Sequence, residues 1–147
     1  MKKKQTARLV SAAVKSGLTV CATYTDGRVV NIDLSDVANR LQAFSPLETP
    51  AEFATVKVAD FGWSLEWDCG ATLDSDRVLE LAMEQAGMAE NVRFRQWQDA
   101  NRLSLSDAAK AIGLTRRTIS KYRTGASAVP RYITLACKGW EAEQQGK

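Results

Sequence analysis

A stretch of 22 residues near the C-terminal end constrains the fold of this chain most. Residues 104–125 read SLSDAAKAIGLTRRTISKYRTG, with apolar residues at helical spacing on both sides of Gly113. Glycine suits the left-handed backbone that ends many helices, so the pattern predicts two short helices joined by a turn. We expect Ser106 to cap the first helix and Thr115 the second, because hydroxyl oxygens accept the free N–H groups of a first helical turn.

Both predicted helices are amphipathic. Their inner faces carry apolar side chains, namely Ala108, Ala109 and Ile112 on the first and Ile119 and Tyr122 on the second. The outer face of the second helix carries polar and basic side chains, namely Arg117, Ser120, Lys121 and Thr124, with Arg116 on its flank. This spacing suits a helix-turn-helix motif, whose second helix enters the major groove of DNA. The alternative is an ordinary helical hairpin with a solvated basic face.

Charge is unevenly distributed along the chain. The overall net charge is +3, but residues 91–147 carry 11 Lys and Arg against 4 Asp and Glu, a net charge of +7. Residues 1–90 carry 9 and 13, a net charge of −4. No acid occurs from Ala108 to Trp140, a span with seven bases: Lys110, Arg116, Arg117, Lys121, Arg123, Arg131 and Lys138. Such asymmetry favours a polyanion as the partner of the C-terminal half.

Composition excludes several classes of function. The absence of histidine rules out Ser-His-Asp and Cys-His catalysis and histidine-ligated metals. Cys21, Cys69 and Cys137 lack the CxxC spacing of zinc sites and indicate free thiols in a reducing compartment. No apolar run is long enough for a transmembrane helix, and the basic start lacks the apolar segment of a signal peptide. We therefore expect a cytoplasmic protein that is not an enzyme, has no membrane partner and uses no metal or cofactor.

The N-terminal part reads as a small α+β domain over residues 7–87, after a basic tail at residues 1–6. Alternating apolar residues predict an antiparallel meander of three strands over residues 7–14, 18–24 and 28–34. Ser35 or Asp36 is expected to cap a helix over residues 37–44. A second hairpin is predicted over residues 55–59 and 63–67, followed by a helix that Asp74 or Ser75 caps and that runs to Ala86.

Two tryptophans in the second predicted hairpin raise a choice. Trp63 and Trp67 are four residues apart on a predicted strand, so they share a face. They belong either to the core or a half-buried sheet face, or to an aromatic surface that binds a protein or small ligand. Five acids nearby stand at turns and helix starts, where acids cap, rather than in a catalytic pattern: Asp60, Glu66, Asp68, Asp74 and Asp76.

The C-terminal part reads as an all-α domain over residues 91–145, which Glu90 or Asn91 opens. A helix over about residues 92–102 is predicted from the apolar stripe of Phe94, Trp97 and Leu103, with Ala100. Pro130 begins a long fourth helix with the apolar positions Tyr132, Ile133, Ala136, Cys137 and Trp140. With the two helices of residues 104–125, these elements predict a small core around Trp97, Ile112, Ile119 and Trp140.

Residues 104–125 resemble the helix-turn-helix of Xre/Cro-type DNA-binding proteins. The resemblance implies a transcriptional regulator, most often a repressor, bound to double-stranded DNA. It implies base contacts from the start of the second helix, here Arg116, Arg117, Ser120 and Lys121. Phosphate contacts are then expected from Ser106, Lys110, Thr115, Thr118, Arg123 and Arg131. The chain departs from the family in having Asp107 where glutamine is frequent, and Tyr122-Arg123 in place of Trp-Glu.

The same resemblance implies a homodimer on a palindromic operator with half-sites about one helical turn apart. Either the long fourth helix or the N-terminal domain would supply the interface.

Residues 8–86 resemble a bacterial domain of unknown function, domain family 2442. The matching segments are Tyr24-Thr-Asp-Gly27, residues 30–35 (Val-Asn-Ile-Asp-Leu-Ser), Phe53, residues 62–68 and Leu73 to Leu79. The resemblance implies a compact α+β fold with no established catalytic residues. Some members precede a helix-turn-helix domain, and some are encoded in pairs that resemble toxin–antitoxin modules.

Two hypotheses follow from the sequence. The first is a DNA-binding regulator, with an antitoxin-like autorepressor as a special case. The second is a protein-interaction module without a DNA role, in which residues 8–86 bind a partner protein.

Overall fold

The computed structural model describes residues 8–146. The chain forms two compact units, one ending at Gln85 and the other starting at Ala86. Within the described residues, the first unit contains small antiparallel sheets and short helices, and the second contains helices. This order confirms the predicted fold class. The predicted basic tail, residues 1–6, lies outside the described residues.

The first sheet is the predicted meander of three antiparallel strands. Its strands are β1 (Leu9–Ser16), β2 (Thr19–Tyr24) and β3 (Val29–Asp33), in that order. β2 alternates between fully buried side chains (Val20, Ala22 and Tyr24) and half-buried ones, as a strand with one core face should. The turn between β2 and β3 closes where the sequence places Asp26-Gly27, with the Gly27 N–H donating to the Tyr24 carbonyl at 2.9 Å.

The segment after β3 differs from the prediction. Helix α1 spans Ser35–Arg40, and no side chain caps it. The predicted cap from Ser35 or Asp36 is wrong because the carboxylate of Asp33 instead accepts the backbone N–H and the hydroxyl of Ser35, at 2.8 and 2.6 Å. A 3₁₀ segment, Gln42–Glu48, and the short helix α2 (Pro50–Phe53) follow α1.

A second antiparallel sheet contains one more strand than predicted. β4 (Lys57–Ala59), β5 (Ser64–Glu66) and β6 (Thr72–Asp74) pair in that order. The link between β4 and β5 is a tight turn in which Asp60, Phe61 and Gly62 all have positive φ. A Cβ atom at Gly62 would lie 2.5 Å from the Leu9 carbonyl oxygen, so close packing as well as φ requires glycine there.

The two tryptophans flank β5 and play different parts. Trp67 is 2% exposed, and its ring packs against Phe53 and Phe44 with centroids 6.2 and 6.4 Å apart. Its indole N–H donates to the Phe53 carbonyl at 3.2 Å. Trp63 is half-buried beneath the guanidinium of Arg8, 5.4 Å from the ring centroid. The predicted partner surface of Trp63 and Trp67 is therefore wrong, because Trp67 belongs to the core.

Helix α3 (Ser75–Gln85) completes the first unit. It buries Val78, Leu79, Leu81 and Met83. Within the described residues, the second unit consists of α4 (Ala89–Ala100), α5 (Leu105–Ile112), α6 (Arg116–Thr124) and α7 (Arg131–Gln145). Over residues 8–146, no helix is long and apolar enough to cross a membrane.

One apolar core holds the four helices of the second unit together. Phe94 and Trp97 of α4, Ala108 and Ala109 of α5, Ile119 and Tyr122 of α6, and Ile133 and Cys137 of α7 are its buried members. Ile112 and Trp140 pack against it partly buried, so the predicted core is confirmed. Two of the apolar positions predicted on α4 and α7 do not face this core: Ala100 is exposed, and Tyr132 is 68% exposed.

The cysteines of the two units should react at very different rates. Cys69 is exposed, whereas burial raises the pKa of the Cys137 thiol to about 12. Because the thiolate is the reactive form, we expect a thiol reagent to label Cys69 quickly in the native protein and Cys137 only after the helical unit opens. Mass spectrometry of the labelled peptides measures both rates. Equal labelling of Cys69 and Cys137 in native protein would contradict the burial of Cys137.

Candidate nucleic-acid interface

The turn between α5 and α6 is built from local signals. α5 ends at Gly113, whose backbone is left-handed (φ 75°, ψ 35°). The next residue, Leu114, donates its N–H to the Ala109 carbonyl at 2.8 Å and packs partly buried against the core. This geometry ends α5 sharply and lets α6 begin three residues later. The turn predicted at Gly113 is therefore confirmed.

The cap of α5 is Ser104, not Ser106. The Ser104 hydroxyl accepts the backbone N–H of Asp107 at 3.0 Å. The helix starts earlier than predicted because Leu105, which follows the cap, packs against the apolar core. Ser106 is thus a half-buried residue of the first turn of α5. It keeps its place among the predicted phosphate contacts, without the role of cap.

Thr115 caps α6 as predicted. Its hydroxyl oxygen accepts the Thr118 backbone N–H at 3.2 Å and lies 3.0 Å from the Thr118 hydroxyl. The two hydroxyls carry two protons, and the bond between them uses one. One hydroxyl proton of the pair therefore stays available for an acceptor at the N-terminal end of α6, where helix N–H groups also favour an anion.

The first two turns of α6 present a polar and basic surface. The four predicted base contacts, Arg116, Arg117, Ser120 and Lys121, are all exposed and lie on this surface. Ile119 and Tyr122 hold the opposite face in the core, at 0% and 7% exposure. α6 contains no acidic residue. We call Arg116, Arg117, Ser120 and Lys121 the α6 outer face.

Arg123 does not belong to the α6 outer face. It is 2% exposed, and its guanidinium donates to the Gln98 side-chain oxygen and the Asp99 carboxylate of α4, both at 3.1 Å. A guanidinium held in this way cannot reach a phosphate outside the unit. We therefore correct the predicted phosphate contact of Arg123 to a structural role.

Three buried polar residues of α4 hold the C-terminal end of α6, and sequence reasoning missed them. Asn91 donates its amide to the Tyr122 and Ser127 carbonyls, at 2.9 and 2.8 Å, and accepts the Val129 N–H at 2.9 Å. Arg95 donates to the Arg123 carbonyl at 2.5 Å, and Gln98 accepts from the Arg123 guanidinium. We call Asn91, Arg95 and Gln98 the α4 clamp.

A weak signal for the α4 clamp exists in the sequence. Asn91, Arg95 and Gln98 lie at i, i+4 and i+7, so they form one stripe beside the apolar stripe of Phe94 and Trp97. A polar stripe is ordinarily read as a solvated face. The stripe of Asn91, Arg95 and Gln98 differs because it faces the loop at residues 125–130, whose backbone groups need side-chain hydrogen-bond partners.

Two further predicted phosphate contacts lie on other helices. Lys110 on α5 and Arg131 at the start of α7 are exposed. The Arg131 guanidinium lies 4.0 Å from the half-buried Glu90 carboxylate, and so long an ion pair with an exposed partner contributes little to stability. Among residues 8–146, no group of three His, Cys, Asp or Glu side chains is arranged to hold a metal ion.

Glu90 links the start of α4 to α7 and should give the helical unit a pH-dependent stability. The hydroxyl of Thr134 donates to its carboxylate at 2.5 Å, which lowers the pKa of Glu90, with smaller contributions from Arg93, Arg131 and Lys138. A lowered folded-state pKa stabilises the fold above the ordinary value of 4.5, and this contribution is lost as the pH falls through the folded-state pKa.

Replacing Glu90 by glutamine should therefore destabilise the protein at neutral pH and make no difference in acid. Urea unfolding of the Glu90→Gln variant and the unchanged protein at several pH values measures this. A stability difference that stays constant as the pH falls below 4.5 would contradict the role of the Glu90 charge.

A solved structure shows what the chain is similar to. No protein-family model matches the chain, and no curated protein matches it. Among solved structures, it is similar to the crystal structure of the putative DNA binding protein NE0471 from Nitrosomonas europaea ATCC 19718. The two chains are 35% identical, with a TM-score of 0.72, over 97% of this chain and 91% of that chain. The chain belongs to the family of this Nitrosomonas europaea protein. Because the match covers nearly the whole chain, family membership extends over both units.

Proposed function

We propose that this protein is a sequence-specific DNA-binding regulator of transcription, and that it acts as a repressor. The observation that carries the proposal is the α6 outer face, whose three cations and one hydroxyl stand exposed on the first two turns of a helix held rigidly by the core. The helix follows a sharp glycine turn after α5. The DNA-binding description of the Nitrosomonas europaea relative and the resemblance to Xre/Cro-type proteins support the same function.

In this proposal α6 enters the major groove. Arg116 and Arg117 would each pair bidentately with a guanine, a contact that discriminates by about 1–3 kcal/mol, while Ser120 and Lys121 read neighbouring base edges. The Thr115–Thr118 hydroxyl pair, Ser106, Lys110 and Arg131 would bind phosphates and fix the register. The α4 clamp would serve this chemistry indirectly, because it fixes the end of α6 against the loop that follows.

The proposed regulator acts as a homodimer on a palindromic operator, because a single recognition helix spans too few base pairs for high specificity. An antitoxin-like autorepressor is the special case in which the first unit, with its resemblance to domain family 2442, binds a partner protein. A small toxin-like reading frame next to its gene would distinguish this case from a general repressor.

A mobility-shift assay of the full chain on its own upstream DNA tests the proposal. We expect binding that competitor DNA of scrambled sequence does not remove. If the protein neutralises several phosphates, the logarithm of the affinity should fall linearly with the logarithm of the salt concentration, with a slope of about −0.9 per phosphate. The proposal is abandoned if no binding occurs at low salt, or if scrambled DNA competes as well as the upstream sequence.

A further inference from the structure

The helix α7 carries two apolar faces, and the core of the unit explains one of them. Ile133 and Cys137 are buried in that core, and Trp140 packs against it. Tyr132 and Leu135 point away from it, at 68% and 52% exposure. Two such large apolar side chains one helical turn apart form an exposed patch that solvent alone does not favour.

The exposed face continues along the whole helix. Tyr132, Leu135, Gly139 and Ala142 follow one another at spacings of three, four and three residues, and all four are exposed. This alternation of three and four is the pattern by which one helix packs along another. In a helical-wheel projection of α7, no charged residue lies between these four positions. We call Tyr132, Leu135, Gly139 and Ala142 the α7 stripe.

Gly139 is the least expected member of the α7 stripe. Glycine in the middle of a helix is unfavourable relative to alanine. Apart from its two chain neighbours and the adjacent backbone of α7, no atom of the described residues lies within 4 Å of the position that a Cβ at Gly139 would take. Its φ is also an ordinary helical one. Neither packing within the chain nor backbone conformation therefore requires glycine there, which points to close approach by something outside the chain.

We propose that a second copy of this chain packs its α7 antiparallel against the α7 stripe. The α7 stripe has large side chains in its N-terminal half and small ones in its C-terminal half. In an antiparallel pair, the large side chains of one helix therefore pack against the small residues of the other. In the register that aligns all four positions, Tyr132 faces Ala142 of the partner subunit. Leu135 then faces Gly139 of the partner subunit, and the two-fold axis repeats both contacts. A parallel pair would instead place Tyr132 on the partner's Tyr132 and leave a gap at Gly139.

The distribution of charge along α7 favours the same orientation. The N-terminal half of α7 carries only bases, Arg131 and Lys138, and both are exposed. The C-terminal half carries only acids: Glu143 is exposed, and Glu141 is half-buried and accepts a hydrogen bond from Asn101 of α4. In an antiparallel pair each basic half lies along the partner's acidic half, whereas a parallel pair would put like charges side by side. Charge and shape complementarity therefore both favour a second copy of the chain as the partner on the α7 stripe, with its α7 antiparallel.

This inference names the interface of the homodimer in the proposed function, but it is argued from α7 alone. A pair of helices of about 22 Å buries less than a standard protein–protein interface, so we expect a reversible dimer whose population depends on concentration. Dimerisation is measured without DNA. A protein that dimerises through α7 without binding DNA would overturn the proposed function and leave the interface standing. A monomer that binds its upstream DNA would overturn the interface and the homodimer, and would leave the DNA-binding role standing.

Sedimentation of the full chain from about 1 μM to about 1 mM tests the interface. We expect the unchanged protein to convert from monomer to dimer within this range. Leu135→Glu should raise the dissociation constant at least about tenfold, because it places a charge where the pair buries a leucine. Leu41→Glu is the matched control, since Leu41 is similarly exposed, at 45%, but lies in the first unit. Circular dichroism should show unchanged helix in both variants.

Gly139→Leu provides the second variant. Leucine raises helix propensity, and the chain itself offers room for its Cβ, so the monomer should melt at a higher temperature. The dimer should nevertheless weaken, because the larger side chain fills the space that Leu135 of the partner subunit needs. A monomer at every concentration overturns the proposal. The proposal is also overturned if Leu41→Glu disrupts the dimer and Leu135→Glu does not. It is overturned as well if Leu135→Glu changes only the sedimentation coefficient of the monomer, because the stripe would then be covered by the first unit.

Discussion

Replacing Arg116 and Arg117 together by alanine should weaken specific DNA binding by about thirtyfold or more, while the helical unit stays folded. Both side chains are exposed on the first turn of α6 and take no part in the apolar core. If each forms a bidentate contact with guanine, the pair contributes about 2–6 kcal/mol of discrimination. The unchanged helix content is expected because alanine is the best helix former.

A matched control separates this local effect from a loss of overall charge. Arg40 and Arg77 are exposed arginines of the first unit, and their joint replacement by alanine changes the net charge by the same amount. We expect that variant to bind the operator nearly as well as the unchanged protein. Titrations by fluorescence anisotropy at fixed salt compare the three proteins. Equal losses in both double variants would mean that only net charge matters and that α6 does not read bases.

The same experiment should separate base contacts from phosphate contacts. Removing a base contact should reduce the difference in affinity between operator and scrambled DNA, whereas removing a phosphate contact should lower the affinity for both equally. Lys110→Ala should therefore lower the affinities for operator and scrambled DNA alike. It should also make the slope of log affinity against log salt concentration shallower by about 0.9, the value for one phosphate contact. Arg117→Ala should lower mainly the affinity for the operator.

Local signals were enough to predict the helix-turn-helix geometry. Gly113 and Thr115 each act within four residues of their own position, as a helix end and a helix cap, so their roles depend little on the rest of the chain. The inward faces of α5 and α6 follow from helical periodicity alone. The one local error, Ser106 in place of Ser104, arose because two serines stand two residues apart and only the burial of Leu105 decides between them.

Contacts distant in sequence were beyond such reasoning. Arg123 looks like another exposed base of α6, and only α4, 24 and 25 residues away, turns it into a buried partner of Asp99 and Gln98. β6 has three residues and is defined by its pairing with β5 rather than by any pattern of its own. Trp67 is buried because Phe53 and Phe44 meet it, and the i, i+4 spacing to Trp63 carried no information about them.

The α4 clamp leads to the second large expected effect, a loss of stability of about 2–4 kcal/mol when Asn91 becomes alanine. Asn91 is 1% exposed and serves three backbone groups: the Tyr122 and Ser127 carbonyls and the Val129 N–H. Two of these bonds are fully buried, and a buried group left without its partner costs about 1–3 kcal/mol. Ser127 is half-buried, so water can replace the amide there at less cost.

Asn101→Ala is the matched control for Asn91→Ala. The Asn101 amide also donates two bonds, to the Trp97 carbonyl and the Glu141 carboxylate, but both are only partly buried. We expect its loss to cost about 1 kcal/mol or less. The rate at which Cys137 is labelled reports the opening of the helical unit alone, because that thiol is buried in the same core. Equal rates of Cys137 labelling in the two variants would mean that Asn91 stabilises the helical unit no more than a partly exposed amide does.

Asn91→Asp tests whether the amide donors, rather than the volume of the side chain, hold the loop after α6. Aspartate keeps the shape and the acceptor for the Val129 N–H, but it turns a carboxylate oxygen toward the Tyr122 and Ser127 carbonyls. At neutral pH the charge should destabilise the unit more than alanine does, since a buried carboxylate facing carbonyl oxygens has no favourable partner. Acid should relieve part of this loss, because a protonated carboxyl can donate to one carbonyl. If the Asn91→Asp variant is as stable as the unchanged protein, shape alone positions α6, and the arginines of its outer face then owe their placement to the apolar core.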